Sequence, residues 1–545
     1  MKTENRLRLS ALLAVAITVV SGTAQLAAAP PASPNSGLGP IVNLAADGVV
    51  GCLVPPFHID GTHSTEEITE AYRNMIDYYA EAQVPYLFLN VCYMRAACPS
   101  EVWDTYWDVD DPDANVTGWP RQHWLVHKKG VDPFAVCVTR CRERGVSPWM
   151  SMRMNDTHYI DDATKTSKLW QQHPELRRAE RSGYDFSHKQ VRDHYLALVA
   201  ELMDRYDCDG IELDWVRFPS HFKSGQEQQG REYLNDFMRR AHQLAEQATA
   251  KRGHPVKIAA RIPAVPEFAQ GLGMDGVAWA REGWADILIL ASVWRPSDTD
   301  IPIERWCELI GPAVDKVLLA AGTDLWLQGT PGGRLMSDDL ETQRGFTTAM
   351  LDRGADLVYL FNHFSAADFG RTRKAPGGST VAWNEHEDLL KISGRLQAAL
   401  KGPRRHVLTF HDPPAPNLPN PKQLPTNLTQ DKLAQFRLYT GPKPTSGRVI
   451  VRVGLDNLPQ VANAKLAVRL NGTECKPIED VAKPDAHKFY SHDPHRVFHV
   501  ADLAQRMVQF EAPRGAMRQG YNQVDTRLAA GSDQKAVWLE IYIGP

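Results

Sequence analysis

The residues best suited to chemistry lie in Asp209-Gly210-Ile211-Glu212-Leu213-Asp214-Trp215-Val216-Arg217-Phe218-Pro219. Ile211 and Leu213 alternate with Glu212 and Asp214, the period-two pattern of a strand, so the two carboxylates face one way, roughly 7 Å apart along the backbone. Two acids on the inner face of a strand are costly to bury unless they are paired or used. Pro219 cannot continue the ladder, which places Asp214 near the C-terminal mouth of the strand. In a parallel α/β barrel that end carries the chemistry.

Eight short apolar runs with helical stretches between them supply the elements that would position these acids: 51–58, 85–93, 147–156, 210–219, 256–264, 286–294, 316–324 and 356–364. Helical periodicity is clearest over 187–206 and 231–251, the latter closed by Gly253, a residue suited to a helix C-terminus. Eight strands alternating with helices predict a (β/α)8 TIM barrel, followed by a C-terminal β-sandwich. Within each run the alternation sorts side chains by face. Met150, Met152 and Met154 point out to the helices, leaving Ser151, Arg153 and Asn155 inside, and Arg261 points inward from the fifth run. His58 ends the first run. Asn90, Trp294 and Asp324 come from the second, sixth and seventh, and Asn362 or His363 from the eighth. A set of polar residues arriving together at strand ends reads as a pocket more readily than as packing.

The connections after the second and third runs are long and aromatic: Trp103, Tyr106, Trp107, Trp119 and Trp124 in one, and His158, Tyr159, Trp170 and Tyr184 in the other. Trp326 follows the seventh run, ahead of Gly329, Gly332 and Gly333. Aromatic faces stack on sugar C–H faces, and long loops on a catalytic rim shape a cleft; local cores of long loops are the alternative.

The ends of the chain speak to location. Lys2, Arg6 and Arg8 precede an apolar run over 9–20 and the Ala27-Ala28-Ala29 stretch, the pattern of a secretory signal peptide over 1–29. The barrel is expected over 30–403, and β-rich sequence from 404 to 545 with the hairpin signal Asn471-Gly472 is expected to form the sandwich. A net charge of −4 carries no nucleic-acid footprint or signature of an anionic membrane surface. The eight cysteines are expected to be structural thiols or to form one or two disulfides, with no metal or organic cofactor implied.

The run Val191-Arg192-Asp193-His194-Tyr195, then Arg205-Tyr206-Asp207-Cys208-Asp209 through Pro219, resembles the family 10-like glycosyl hydrolase barrels of exported bacterial proteins. His173-Pro174-Glu175 and Gly183-Tyr184-Asp185-Phe186 share their style, and the likeness is good over 148–219 and fainter elsewhere. It implies a glycoside hydrolase acting on a polysaccharide, with Asp214 as a catalytic candidate; Glu212 departs from the neutral residue or histidine typical of its position. A more distant likeness is to chitinase-type barrels, whose D-x-x-D-x-D-x-E pattern matches Asp209, Glu212 and Asp214 but meets Val216 at the final glutamate. That departure argues against a working chitinase and leaves a non-catalytic carbohydrate-binding protein as the second reading.

Hydrolysis of a glycosidic bond needs two flanking carboxyl groups. Asp214 is the first, Asp324 the expected second, and Glu267, Asp298 and Asp300 are reserves. Glu212 is expected a layer deeper, partnering Arg153 or Arg261 and tuning Asp214. The two arginines fit an acidic sugar, and equally well a purely neutralising role. The substrate-contacting set is then His58, Asn90, Arg153, Asn155, Arg261, Trp294, Trp326 and His363.

Overall fold

The computed structural model describes residues 38–51, 59–293, 297–324, 326–361, 373–374, 380–381, 385–410, 422–456, 460–481 and 500–545. Its N-terminal part is a closed parallel barrel. The strands are β1 (Pro40–Leu44), β2 (Tyr86–Cys92), β3 (Ser147–Arg153), β4 (Gly210–Asp214), β5 (Lys257–Pro263), β6 (Ile287–Ala291), β7 (Leu318–Asp324) and β8 (Leu357–Phe361). β1 pairs with both β8 and β2 and closes the ring. β2 to β8 fall in the expected runs. The first expected run is corrected: β1 lies at Pro40–Leu44, the next segment is the helix Ala46–Gly51, and 52–58 fall outside the described residues. Both stretches are short and apolar, and only the closure of the ring decides between them.

The two faces of the strands separate as the alternation requires. Met150, Met152, Met154, Ile211, Leu213, Ile258 and Ile262 join the core beneath the helices. Inside the barrel a second cluster gathers Ile41, Phe88, Trp149, Ala259, Ile289, Ala320, Tyr359 and Phe361. Trp149 stacks on Phe88 at 4.9 Å and fills the space over Gly210, where a Cβ would stand 2.3 Å from the indole. An aromatic plug therefore closes the lower barrel. Above it the register sets Ser151 beside Glu212, and then Arg153, Asp214 and Arg261 side by side in the next layer. The helix Lys189–Arg205 buries the expected face of Val191, Tyr195, Leu198, Leu202 and Met203. Glu227–Arg252 ends at Gly253, which takes φ 77.

From Arg404 onward antiparallel sheets take over. One joins Arg404–Val407, Gln534–Gly544, Arg448–Leu455, Arg506–Ala512 and Lys476–Ile478, and the other Ala434–Tyr439, Tyr521–Ala530, Lys465–Leu470 and Thr473–Glu474. Phe436, Val451, Val468, Val524 and Ile541 pack between them. Asn471 and Gly472 take positive φ in a hairpin turn, as their sequence predicts. Val500 begins a 3-10 turn that ends at Asp502. The described cysteines are free thiols, so none of them forms a disulfide. No helix among the described residues is long and apolar enough to cross a membrane.

The sandwich is fastened to the barrel. Arg353 is buried, donates to Asp300 at 2.7 Å and to the Ile301 carbonyl, and lies 4.3 Å over the Tyr439 ring. Gly345, in the helix Leu340–Asp352, meets the backbone of Arg405 so closely that a Cβ would stand 1.9 Å from its carbonyl oxygen. Gly345→Ala must push strand and helix apart, and the expected loss is about 2 kcal/mol or more. Denaturant unfolding measures it, and an unchanged midpoint would mean that this contact is soft.

Candidate active site

Asp214 ends β4 with both carboxylate oxygens engaged. Oδ1 accepts the N–H groups of Val216 and Arg217 at 3.1 and 3.2 Å, and Oδ2 accepts Nη1 of Arg261 at 3.0 Å. The first two bonds fold the chain into a turn as it leaves the strand. Phe218 follows at φ 71, a region that costs a bulky side chain on the order of 1 kcal/mol or more. The turn brings Arg217 back over the barrel mouth, where its guanidinium lies 5.5 Å from the Phe361 ring.

Glu212 lies one layer below and has no solvent exposure. Oε1 accepts the Tyr359 hydroxyl at 2.5 Å, and Oε2 accepts Nδ2 of Asn43 at 2.8 Å; the same Asn43 amide reaches Ser151 Oγ at 3.1 Å. Burial first, and then the charge of Asp214, push its carboxyl up to about 7. The expected pairing of Glu212 with an arginine is therefore corrected. Arg261 bonds Asp214 in its own layer, and Arg153 turns to Asp156 at 3.0 Å.

This correction changes what Glu212→Gln should do. The carboxyl titrates higher in the folded chain than its ordinary 4.5, so the fold loses stability as pH rises from there toward 7. The amide strands no cation and removes that loss. The expected cost is roughly 1 kcal/mol below pH 5, from one imperfect hydrogen bond, and none or a gain at about pH 8. Thermal unfolding across pH checks this; a large penalty at alkaline pH would restore the ion-pair reading.

The upper layer is cationic. Arg153, Arg217 and Arg261 lie 5.7, 5.5 and 3.8 Å from the centre of the Phe361 ring, and Arg153 also lies 4.4 Å over Tyr93. Arg217 donates from Nη2 to His158 Nε2 at 3.2 Å, and His158 Nδ1 contacts Asp156 Oδ1 at 2.8 Å. Asp156 thus fixes both Arg153 and the imidazole that holds Arg217; with Nδ1 donating to the carboxylate, Nε2 is left to accept. Burial, with Arg153 next, pulls Arg217 down to about 10, while the charge of Asp324 opposes the shift.

The other expected residues divide. Asp324 is buried at the end of β7, in register beside Phe361, and its charge reaches both Arg217 and Arg261. Asn90 is inside and donates to the Ser151 carbonyl at 3.2 Å. Asn155 is corrected to a structural tie: its amide donates to the carbonyls of Tyr184 and Ser220 and accepts the Tyr184 N–H, using its oxygen and its nitrogen to hold two loops. Trp326 lies in a two-stranded ribbon and is almost wholly buried, which leaves little face for a sugar. His58, Trp294, Asn362 and His363 fall outside the described residues. Among the reserves, Asp300 serves the Arg353 contact with the sandwich, Asp298 accepts the Asp300 N–H, and Glu267 is a surface partner of Arg305. Most loop aromatics form local cores. Trp103 stacks on His194 at 4.5 Å, and Trp170 lies under Arg177 at 3.5 Å.

Asn43, Tyr359, Phe361, Asp156, His158 and Arg217 complete the centre without having been singled out as site residues. Tyr359 and Phe361 carried a usable signal, a period-two pair in the eighth run. Asn43 was lost with the misplaced first strand.

No family model matches this sequence, and no curated protein does. Solved structures align with this chain at low identity. An alpha-amylase from Geobacillus thermoleovorans in complex with acarbose is 12% identical, covering 91% of this chain and 100% of its own, with a TM-score of 0.37. A putative alpha-L-fucosidase from Bacteroides thetaiotaomicron is 11% identical over 94% and 98% of the two chains, with a TM-score of 0.37. A GH138 enzyme targeting pectin rhamnogalacturonan II is 11% identical over 68% of this chain and 39% of its own, with a TM-score of 0.39. At these identities and scores no residue role is carried across.

Proposed function

We propose that the barrel mouth is the active site of an exported glycoside hydrolase that cleaves O-glycosidic bonds of a polysaccharide. The observation that carries this reading is the placement of Asp214, a buried carboxylate in a layer of arginines at the C-terminal end of a closed parallel barrel. Such a group is expensive to keep as packing and cheap to explain as chemistry. Asp214 is assigned the role of the carboxylate that faces the positive charge developing at the sugar ring, as nucleophile or as base for a water. Asp324, at the end of β7, is assigned the acid that protonates the leaving oxygen. Glu212, sealed beneath both, keeps Tyr359 and Asn43 in place rather than touching substrate. Within this class the strand-four sequence favours the family 10-like barrels. Residues 1–29 would be removed on export, and the sandwich from 404 onward would be an accessory domain.

The test is release of new reducing ends by the purified protein from plant, algal and bacterial polysaccharides. Asp324→Asn should retain binding and lose turnover by roughly 100-fold or more. An Asp324→Asn protein as fast as the parent would remove Asp324 from the mechanism. A second reading, a carbohydrate-binding protein without turnover, is favoured by the complete engagement of Asp214 by protein donors. It expects binding with no new reducing ends.

A further inference from the structure

Three guanidinium groups around one aromatic ring are unusual in a centre meant for a neutral sugar. They come from three separate places: Arg153 from β3, Arg261 from β5 and Arg217 from the turn after β4, and all three are at least nine-tenths buried. Close packing of like charges in a site shielded from water is unfavourable unless negative charge balances it. The carboxylates facing them are Asp156 on Arg153, Asp214 on Arg261, Asp324, whose charge reaches Arg217 and Arg261, and Asp47, which accepts the Tyr93 hydroxyl and whose charge reaches Arg153; Glu212 lies below. In the proposed reaction Asp324 is the acid and must carry a proton when substrate is bound. That removes one balancing charge at the moment the site works.

Two further features fit a receptor better than a neutral scaffold. The Nε atoms of Arg153 and Arg261 are buried and have no hydrogen-bond partner among the described residues. Each guanidinium therefore keeps donor capacity beyond its single carboxylate contact. The third arginine is held in place from both ends: its N–H by Asp214, its guanidinium by His158, and His158 in turn by Asp156. A long side chain anchored this way gives up little entropy when it grips a ligand.

We infer that the barrel mouth recognises an anionic sugar, one carrying a carboxylate or a sulfate ester, and that Arg217, with Arg153 and Arg261 behind it, binds the anionic group. The inference rests on the glycan-active reading of the site. It adds the substrate class and names the residue that selects it. Planar forks of N–H donors match both oxyanions in two-point contacts, so carboxylate and sulfate share the recognition chemistry, and experiment separates the two sources.

The test uses the full chain and matched pairs of oligosaccharides: uronate oligomers against their carboxyl-reduced forms, and sulfated galactan oligomers against their desulfated forms. Each pair holds the linkage constant and changes only the charge. Binding by calorimetry and cleavage by product analysis are measured separately. The expected result is that at least one charged member binds roughly 30-fold or more tighter than its neutral partner. Preference in the uronate pair identifies a carboxylate, and in the galactan pair a sulfate. In Arg217→Gln that ratio should fall toward one. Arg217→Lys, which keeps the charge and loses the fork, should fall between, and it also covers the case in which Arg217→Gln fails to fold. Charged preference in binding with no cleavage of any probe would support this inference and defeat hydrolysis. Binding or cleavage of neutral members equal to that of charged ones, binding of no charged probe, or an undiminished ratio in both Arg217 variants would overturn the inference, whatever becomes of hydrolysis.

Discussion

Asp214→Asn is expected to abolish turnover, by roughly a thousand-fold or more, on any polysaccharide that the parent protein cleaves. The amide matches the carboxylate in shape, so its two jobs can be separated. As an acceptor, its single oxygen can serve either the Val216 and Arg217 N–H groups or Arg261, not both sides at once. A buried guanidinium then faces an N–H group, and a stability loss of about 3 kcal/mol or more accompanies the loss of activity. Combining Asp214→Asn with Arg261→Met removes the stranded cation, and it should recover much of the stability without recovering turnover. If the double variant regains turnover along with stability, Asp214 is a structural partner of Arg261 and nothing more.

The largest effect outside the barrel is expected at Glu540. It has no solvent exposure, and it accepts from Arg405 at 2.6 Å, from Arg452 at 2.7 Å and from the Trp538 indole at 3.0 Å. Burial alone would raise its carboxyl, but Arg405 and Arg452 together pull it down to about 2. Because the folded value lies below the ordinary 4.5, the stabilisation is fully present above that pH and drains away as pH falls toward 2. Glu540→Gln leaves the buried Arg405 and the partly exposed Arg452 short of their counter-charge and should cost roughly 3 kcal/mol at neutral pH. It should also flatten the acid limb of the stability profile. A neutral-pH loss with the acid limb unchanged would mean that Glu540 acts by shape and not by charge.

Of these two acids only Asp214 could be read as functional from sequence. Asp214 stood out because its run of sequence is short, alternates cleanly and is closed by Pro219. The inward positions of Arg153 and Arg261 followed from the same alternation. Which acid each arginine reaches did not follow, because that depends on register between strands distant in sequence. Arg261 lies directly beside Asp214, while Arg153 finds Asp156 on the turn just beyond its own strand. Glu212 was mis-partnered for a related reason. Its partners, Asn43 and Tyr359, come from β1 and β8, across the barrel from β4. Asn155 looked like a site residue because it continues the inward alternation of Ser151 and Arg153, but the strand ends at Arg153 and the pattern stops with it. In the sandwich, Ala434–Tyr439 exposes Gln435 and Arg437 at alternate positions, so it carries no continuous apolar run in the sequence.

The most direct measurement of the central claim is cleavage of an oligosaccharide in water enriched in heavy oxygen, with the products resolved by mass. Hydrolysis by the parent protein should place one heavy oxygen at each new reducing end, keep the original oxygen on the fragment that leaves, and give no unsaturated sugar, and Asp214→Asn should give no products. New reducing ends lacking the heavy atom, fragments carrying a double bond at the new end, or products formed equally by Asp214→Asn would contradict a hydrolase centred on that residue.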